Sequence, residues 1–528
     1  MLLPRRESAL PRRVGARWII AAFAATVLAL LAGSDATLAP AVPVFGPPRA
    51  VATVTGAGVG ALTELETGDL NGDGLTDVVV TRLAFPPTQE TFPVGVFLAD
   101  GRGGFTDGSS IFDGPPPRTQ HGRQIVIADF NGDRRNDIFV ADHGFDAPPF
   151  PGFRNSLALS TPQGKLVDAT NNLPPESGFS HSAAAADVDR DGDVDIYVGN
   201  LCCGDRTPPE LLLNDGSGRF SRGVGMLPPE VEDPFQNRYT RSLFVDVDAD
   251  GDPDLVLGAE DHTPASAVLL NDGRGHFGRV PNALPPKAFG PTSITISLAT
   301  LDVDADGHAD LLAGFQRADF SGRRLEVLIG NGDGTFRDET ARRLPTQDEG
   351  SSWPYAIRVA DVNGDGRADF GVSLPSGQSE RPPLYLDDGN GVFSRVRLPV
   401  ANSIFAFVDA NSDRRPDLFS SFPGGSSTPE RHEVQLQLVP LATPTAVRAT
   451  TNLRDRIRVS WRAVTSASGY EVWRSRGRQA RKLVATATAP RFDDRRAVAG
   501  VVYKYVVRAT SESGKSAFSA PAIGRRRP

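Results

Sequence analysis

A chain of 528 residues is long enough for several domains or one large repeat array, and it can bury a sizeable core either way. Glycine and proline, at 54 and 43 residues, exceed the usual level and suit many short strands joined by turns. The formal charge of −8 argues against a nucleic-acid partner, whose phosphates need a basic surface. The only cysteines, Cys202 and Cys203, are adjacent and exclude a disulfide framework.

The N-terminus carries Arg5, Arg6, Arg12, Arg13 and Arg17, then an apolar run from Trp18 to Gly33, then Ser34-Asp35-Ala36. A basic start, an apolar stretch and a small-x-small exit predict a secretory signal peptide over residues 1–36, with an uncleaved anchor as the alternative. Residues 37–48 read as a linker. Nothing later is apolar for long enough to span a bilayer, so the mature chain is expected outside the cytoplasm, secreted or at the cell surface.

The stretch DLNGDGLTD, Asp69 to Asp77, returns six times: DFNGDRRND from Asp129, DVDRDGDVD from Asp187, DVDADGDPD from Asp246, DVDADGHAD from Asp302, DVNGDGRAD from Asp361 and DANSDRRPD from Asp409. The starts lie 60, 58, 59, 56, 59 and 48 residues apart, which marks a repeat architecture. Each copy sits between short strand-like runs, QIVIA and IFVA in the second and SLFV and LVLG in the fourth, so the loop joins two strands of a hairpin. Most units add a second turn, as in ADGRGGF from Ala99, NDGSGRF from Asn214, NDGRGHF from Asn271, NGDGTF from Asn331 and DDGNGVF from Asp387, where glycine accepts the positive φ of a hairpin turn. Two hairpins give four strands per unit. Seven such units predict an all-β fold, a seven-bladed β-propeller, with a β-solenoid as the alternative. The last unit lacks the second turn, and Arg49 to Val54 is expected to supply its missing strand and close the ring.

DxDxDGxxD loops paired with NDGxGxF turns resemble the FG-GAP/VCBS repeats of integrin-α-type propellers and of many secreted bacterial proteins. The resemblance covers residues 49–440 and implies extracellular recognition or adhesion.

An EF-hand loop would carry glutamate at position 12. Here that position is Val80, Val140, Val198, Leu257, Ala313, Val372 and Ser420, so the helix-loop-helix reading fails. What remains is a compact oxygen site in a hairpin, with side chains at positions 1, 3, 5 and 9 and the carbonyl at position 7. In chain order the candidates are Asp69, Asn71, Asp73, Leu75 and Asp77; Asp129, Asn131, Asp133, Arg135 and Asp137; Asp187, Asp189, Asp191, Asp193 and Asp195; Asp246, Asp248, Asp250, Asp252 and Asp254; Asp302, Asp304, Asp306, His308 and Asp310; Asp361, Asn363, Asp365, Arg367 and Asp369; and Asp409, Asn411, Asp413, Arg415 and Asp417. Hard oxygen donors in this number suit Ca2+, up to seven ions, better than Mg2+, which resists losing its water. The plain alternative is a solvated acidic turn, but crowded carboxylates without a cation repel one another.

Arg134 and Arg414 replace glycine at position 6 of the second and seventh copies. The resemblance implies positive φ there, so these two sites are expected to be the weakest. Seven near-identical copies lack the asymmetry that a catalytic carboxylate pair needs, and no catalytic residue is assigned. Removing residues 1–36 takes away five arginines and two acids and moves the charge from −8 to −11, which seven divalent ions would turn slightly positive.

The loops expected on the opposite rim carry His121, Arg123, Asp142, His143, His181, Tyr239, Arg241, Glu260, Asp261, His262, Trp353 and Tyr355. Three readings stand: ordinary polar loops, a binding surface for an extracellular carbohydrate or protein ligand, or the site of a lyase-like carbohydrate-active enzyme. Cys202 and Cys203 fall on the same side, as a vicinal disulfide or two thiols. From residue 441 to 523 a run of alternating strands places Pro444, Val459, Trp461, Tyr470, Val472, Phe492, Tyr503, Tyr505 and Ala509 where fibronectin type III β-sandwiches have their core. Residues 524–528 form a basic tail.

Overall fold

The computed structural model describes residues 42–528 apart from 52–60, 85–86, 202–206, 234–237, 261–264, 288–289, 291–292, 346–349, 375–379, 401–402, 423–429, 439–440, 466 and 512–513. The expected signal segment, the cysteine pair, Asp261 and His262 therefore lie outside the described residues.

Seven four-stranded antiparallel sheets follow one another along the described chain. In the first, Ala61–Gly68, Asp77–Leu83, Gly95–Ala99 and Phe105–Asp107 lie side by side in chain order. Five more sheets keep that pattern, with first strands at Gly122–Ala128, Ser180–Ala186, Tyr239–Val245, Ser293–Leu301 and Ala356–Ala360. The seventh holds Ile404–Val408, Asp417–Phe422 and Arg431–Gln435, and its fourth strand is Arg49–Val51 from the other end of the chain. The register is Arg49↔Val434, Ala50↔Glu433 and Val51↔His432, so the expected exchange of a strand between the two ends is present. First strands pack on one another in succession, and Ile404–Val408 packs back on Ala61–Gly68. An open solenoid does not return on itself in this way.

The packing follows from the period of two along a strand. In Asp77–Leu83 the stretch VVV is wholly buried because both faces are covered. Val78 and Val80 join Phe419 and Val434 of the seventh sheet, whereas Val79 points the other way, to Ile125 and Ile138 of the second. One apolar cluster of this kind fills each space between neighbouring sheets. The aromatic residue ending the second turn, Phe105, Phe220, Phe277, Phe336 or Phe393, is buried in each case.

A buried ion pair reinforces the junction of the two chain ends. Arg82 in the first sheet donates from Nε to Glu430 at 2.8 Å and also from Nη2, and Glu430 leads into the strand Arg431–Gln435. Burial would raise the Glu430 carboxyl, but hydrogen bonds from His432 and Arg82 and the arginine charge outweigh it and hold the carboxyl at about 2.

The C-terminal segment forms two antiparallel sheets. One contains Arg448–Ala449, Ile457–Ser460 and Arg491–Asp494, and the other centres on Gly469–Ser475 and Val502–Ser511. Val459, Trp461, Tyr470, Val472, Tyr503, Tyr505 and Ala509 share one core between them, with Phe492 packed against it. Pro444 is buried as well.

Candidate calcium loops and the opposite rim

All seven acidic loops have one hydrogen-bonding plan. The position-9 aspartate is completely buried in every copy. In the first, Asp77 Oδ2 accepts from the Leu70 amide at 3.0 Å and Oδ1 from the Ala99 amide at 2.9 Å. It thus ties the loop to the third strand of its own sheet. Asp195 repeats this with Val188 and Asn214, and Asp417 with Ala410 and Gln437. Each keeps lone pairs for another partner.

Position 1 accepts amides from across the loop, as Asp69 Oδ2 does from Gly74 at 2.8 Å. Position 5 accepts the amide of position 7, as in Asp73 to Leu75, Asp133 to Arg135, Asp191 to Asp193, Asp306 to His308, Asp365 to Arg367 and Asp413 to Arg415. The side chains at positions 1, 3 and 5 are therefore folded over the loop's own backbone.

Position 6 does take positive φ: 82° at Gly74, 96° at Gly192, 67° at Arg134 and 64° at Arg414. Sequence reading missed that position 4 does the same, with φ of 76° at Gly72, 62° at Arg190, 63° at Ala249, 59° at Ala305 and 59° at Ser412. Left-handed strain is thus not peculiar to the second and seventh loops, although only these two place arginine at the sixth position and only the seventh has non-glycine residues at both, Ser412 and Arg414. The available signal was the glycine at positions 72, 132 and 364, obscured by its replacement elsewhere.

In the third, fourth and fifth loops three carboxylates converge. One oxygen from each of Asp187, Asp189 and Asp195, of Asp246, Asp248 and Asp250, and of Asp302, Asp304 and Asp306 lies within 4.8 Å of the others. Buried oxygens there have no hydrogen-bond partner: Oδ1 of Asp187, Asp246 and Asp304. Burial and the neighbouring Asp191 raise the Asp189 carboxyl, and burial with Asp250 does the same at Asp248. An oxygen-rich pocket with orphaned carboxylate oxygens fits a hard divalent cation. In the first and seventh loops an asparagine amide occupies part of that space, Asn71 Nδ2 donating to Asp73 at 3.0 Å and Asn411 Nδ2 to Asp413 at 3.3 Å. In the second, Asn131 Nδ2 turns to the Ser160 carbonyl at 2.9 Å, and in the sixth the Arg367 guanidinium pairs with Asp365 at 2.5 Å.

At the far ends of the first strands the pairing register skips one residue in five sheets, at Thr63, Arg123, His181, Thr240 and Ile296. Such bulges re-aim side chains. Arg123, His143, His181, Arg241, Trp353 and Tyr355 line one cavity of about 480 Å3 with Asp146, Phe150, Phe179, Arg238, Glu260 and Phe320. All six of the first group, and Glu260, were expected on this rim; Asp146, Arg238 and the phenylalanines were not.

His181 has a fixed tautomer. Its Nδ1 lies 3.1 Å from the Thr240 carbonyl, which only accepts, and its Nε2 lies 2.9 Å from Arg123 Nη2, which only donates. Burial, then Arg123 and Arg241, holds this imidazole well below its ordinary range. Burial and Arg123 do so for His121, and burial with His121 for His143. All three rings are neutral at neutral pH. Burial and the nearby Arg123 bring Arg241 down to about 10.

Asp142 is no part of this surface. Its carboxylate accepts amides of Gln120 at 2.7 Å, His121 at 2.9 Å and Gly144 at 2.8 Å, and it is fully buried. It holds two loops together. A further chain of polar groups escaped sequence reading: Ser421 Oγ lies 2.8 Å from His432 Nδ1, and His432 Nε2 lies 3.1 Å from Glu430. That connectivity suits a hydrolase triad, but Ser421 and His432 are completely buried and no substrate reaches them.

Residues 69–140, 129–198, 246–313 and 302–372 match the family model of the FG-GAP-like repeat. The chain carries FG-GAP-like repeats. With the strand order above, they build a β-propeller. Among solved structures, the chain is similar to the Dos1 propeller at 9% identity, covering 73% of this chain and 94% of that one with a TM-score of 0.41. It is also similar to an Fn3-like protein from Clostridium thermocellum at 28% identity, covering 17% of this chain and 97% of that one with a TM-score of 0.16. A third similar structure is a β-1,2-glucanase from Parabacteroides distasonis at 16% identity, covering 45% of this chain and 36% of that one with a TM-score of 0.16. No helix among the described residues is long and apolar enough to cross a membrane.

Proposed function

We propose that this FG-GAP-repeat protein is a secreted or cell-surface recognition protein. It is read as a closed, calcium-stabilised seven-bladed propeller followed by a fibronectin type III module, with its ligand on the rim opposite the acidic loops. The observation that carries this reading is a division of labour between the two ends of the first hairpins. At one end the carboxylates are spent on the loop's own amides and on a cation-sized space. At the other, five register skips turn side chains toward a cavity.

The side chains of Asp187, Asp189, Asp191 and Asp195, with their counterparts in the fourth and fifth loops, would hold Ca2+. A bound ion would supply charge compensation and cross-link the hairpin ends, a structural role. The remaining four loops, where Asn71, Asn131, Asn363 and Asn411 replace an aspartate at position 3, are proposed as weaker sites. Calorimetric titration of EDTA-treated protein tests this: binding of about three tight equivalents is expected, and no heat of binding would remove calcium from the account.

A second reading, an extracellular carbohydrate-active lyase, draws on neutral imidazoles and arginines in one cavity. Burial, however, pushes Tyr355 well above its usual range, which unsuits it to act as a base. Turnover of a polysaccharide by the wild type that disappears in His143→Ala would establish that reading over simple binding.

A further inference from the structure

Two guanidiniums in the rim cavity have no carboxylate at ion-pair distance. Arg358, deeper in, is met by Glu66 at 2.7 Å and Glu64 at 3.6 Å, and Arg238 faces Glu260 at 3.8 Å. Neither Arg123 nor Arg241 has such a partner among the described residues, and both lean on His181 instead. Arg123 Nη2 meets the ring, and Arg241 Nη1 points to the His181 carbonyl at 3.4 Å and the Thr240 carbonyl at 3.0 Å. Arg241 is only 7% exposed, and Arg123 Nε is buried with no hydrogen-bond partner, as is His143 Nδ1. Among the described residues of the cavity wall, the carboxylate besides Glu260 is Asp146, which is exposed.

Glu64 offsets the Arg241 charge and Asp146 that of Arg123 only from beyond ion-pair contact, and buried cations so partly compensated are costly. Guanidinium matches the planar, two-oxygen geometry of a carboxylate or the oxygens of a sulfate. The same cavity is lined by aromatic rings: Trp353 is half-buried, and Phe320 stands edge-on to it with ring centres 6.5 Å apart. Aromatic surface and an anion site in one space of about 480 Å3 suit a small ring that has an apolar face and an acidic substituent.

We propose that the cavity binds an acidic saccharide, its carboxylate or sulfate ester held by Arg123 and Arg241 and its ring lying against Trp353. This rests on the recognition reading above and gives it a ligand class. The imidazole of His181, neutral and fixed by Thr240, leaves both guanidiniums fully charged for the anion, and His143 Nδ1 offers a further hydrogen bond at the same wall.

The test is calorimetric titration of the full-length protein in calcium with an oligogalacturonate, a sulfated galactan oligosaccharide and a neutral galacto-oligosaccharide. The expected result is that at least one acidic saccharide binds tenfold or more tightly than the neutral one, with the uronate and sulfate arms showing which anion is preferred. Arg123→Gln is expected to weaken the acidic ligand at least tenfold with an unchanged melting temperature, and Trp353→Ala to weaken it as well. Should either variant fold poorly, the wild type supplies its own control, because affinity for an acidic saccharide must fall as salt rises. Equal affinity for acidic and neutral sugars, still dependent on Trp353, overturns the acidic ligand class and leaves the rim reading standing. Acidic binding that ignores both substitutions and salt overturns both. Failure of every saccharide to bind overturns this inference alone, since a protein ligand on the same rim is the other form of the recognition reading.

Discussion

Arg134 and Arg414 hold φ of 67° and 64° with their side chains exposed, so nothing in their packing offsets the left-handed backbone. Replacing each with glycine is expected to stabilise the fold by about 1 kcal/mol and to tighten calcium at its loop; chemical denaturation and calcium titration of Arg134→Gly and Arg414→Gly measure the two effects. Glu430 works in the opposite sense. Its folded carboxyl lies at about 2, below the 4.5 of an unperturbed glutamate, so its contribution is present above pH 4.5 and lost as pH falls toward 2. Glu430→Gln strands the buried Arg82 and is expected to cost about 3–5 kcal/mol at neutral pH, read as a lower melting temperature whose acid dependence between pH 5 and 2 is flattened. The acidic loops were legible residue by residue because each ligand type recurs at fixed offsets. Asp142 was misread because an aspartate that accepts three amides looks in sequence like one that faces a ligand.

The position-9 aspartate couples its loop to the third strand of its own sheet in six hairpins, and in the seventh to Gln437, just beyond that strand. Burial, only partly offset by backbone amides, pushes these carboxyls up to about 6 at Asp77, Asp137, Asp254, Asp310 and Asp369 and to about 7 at Asp195 and Asp417. The folded values exceed the 3.8 of an ordinary aspartate, so without metal the protonated loops favour folding at low pH and that stability drains away as pH rises through 6 and 7. Bound calcium would reverse the balance by favouring the ionised form. In EDTA the melting temperature should therefore fall between about pH 4 and 7, and in calcium it should not; parallel falls in both would show that no ion meets these carboxylates. Strand pairs and turns were readable from alternation and glycine. The register skips at Arg123, His181 and Thr240 were not, because a bulge is set by the strand alongside rather than by its own residues.

At the scale of the molecule, the ends of the propeller segment meet in one sheet. Arg49–Val51 completes the seventh sheet, and Arg82 and Glu430 pair across the same junction. Deleting residues 45–51 should abolish cooperative unfolding of the propeller, whereas a single sharp transition in scanning calorimetry would show the ring to be self-sufficient without that strand. This closure was visible in the sequence because the final unit was one strand short. The convergence of Arg123 and Arg241 from two different sheets on one residue, His181, the first on its ring and the second on its carbonyl, was not, because no spacing along the chain records it. The central claim is that the acidic loops hold calcium and that calcium holds the propeller together. Scanning calorimetry of the full-length protein in EDTA and in millimolar calcium, alongside the variant Asp191→Ala/Asp250→Ala/Asp306→Ala, tests it most directly. The account predicts a propeller transition that rises with calcium concentration as ligand linkage requires and a much smaller rise in the triple variant, whose tight loops are lost. A wild-type transition at the same temperature in EDTA and in calcium would contradict it.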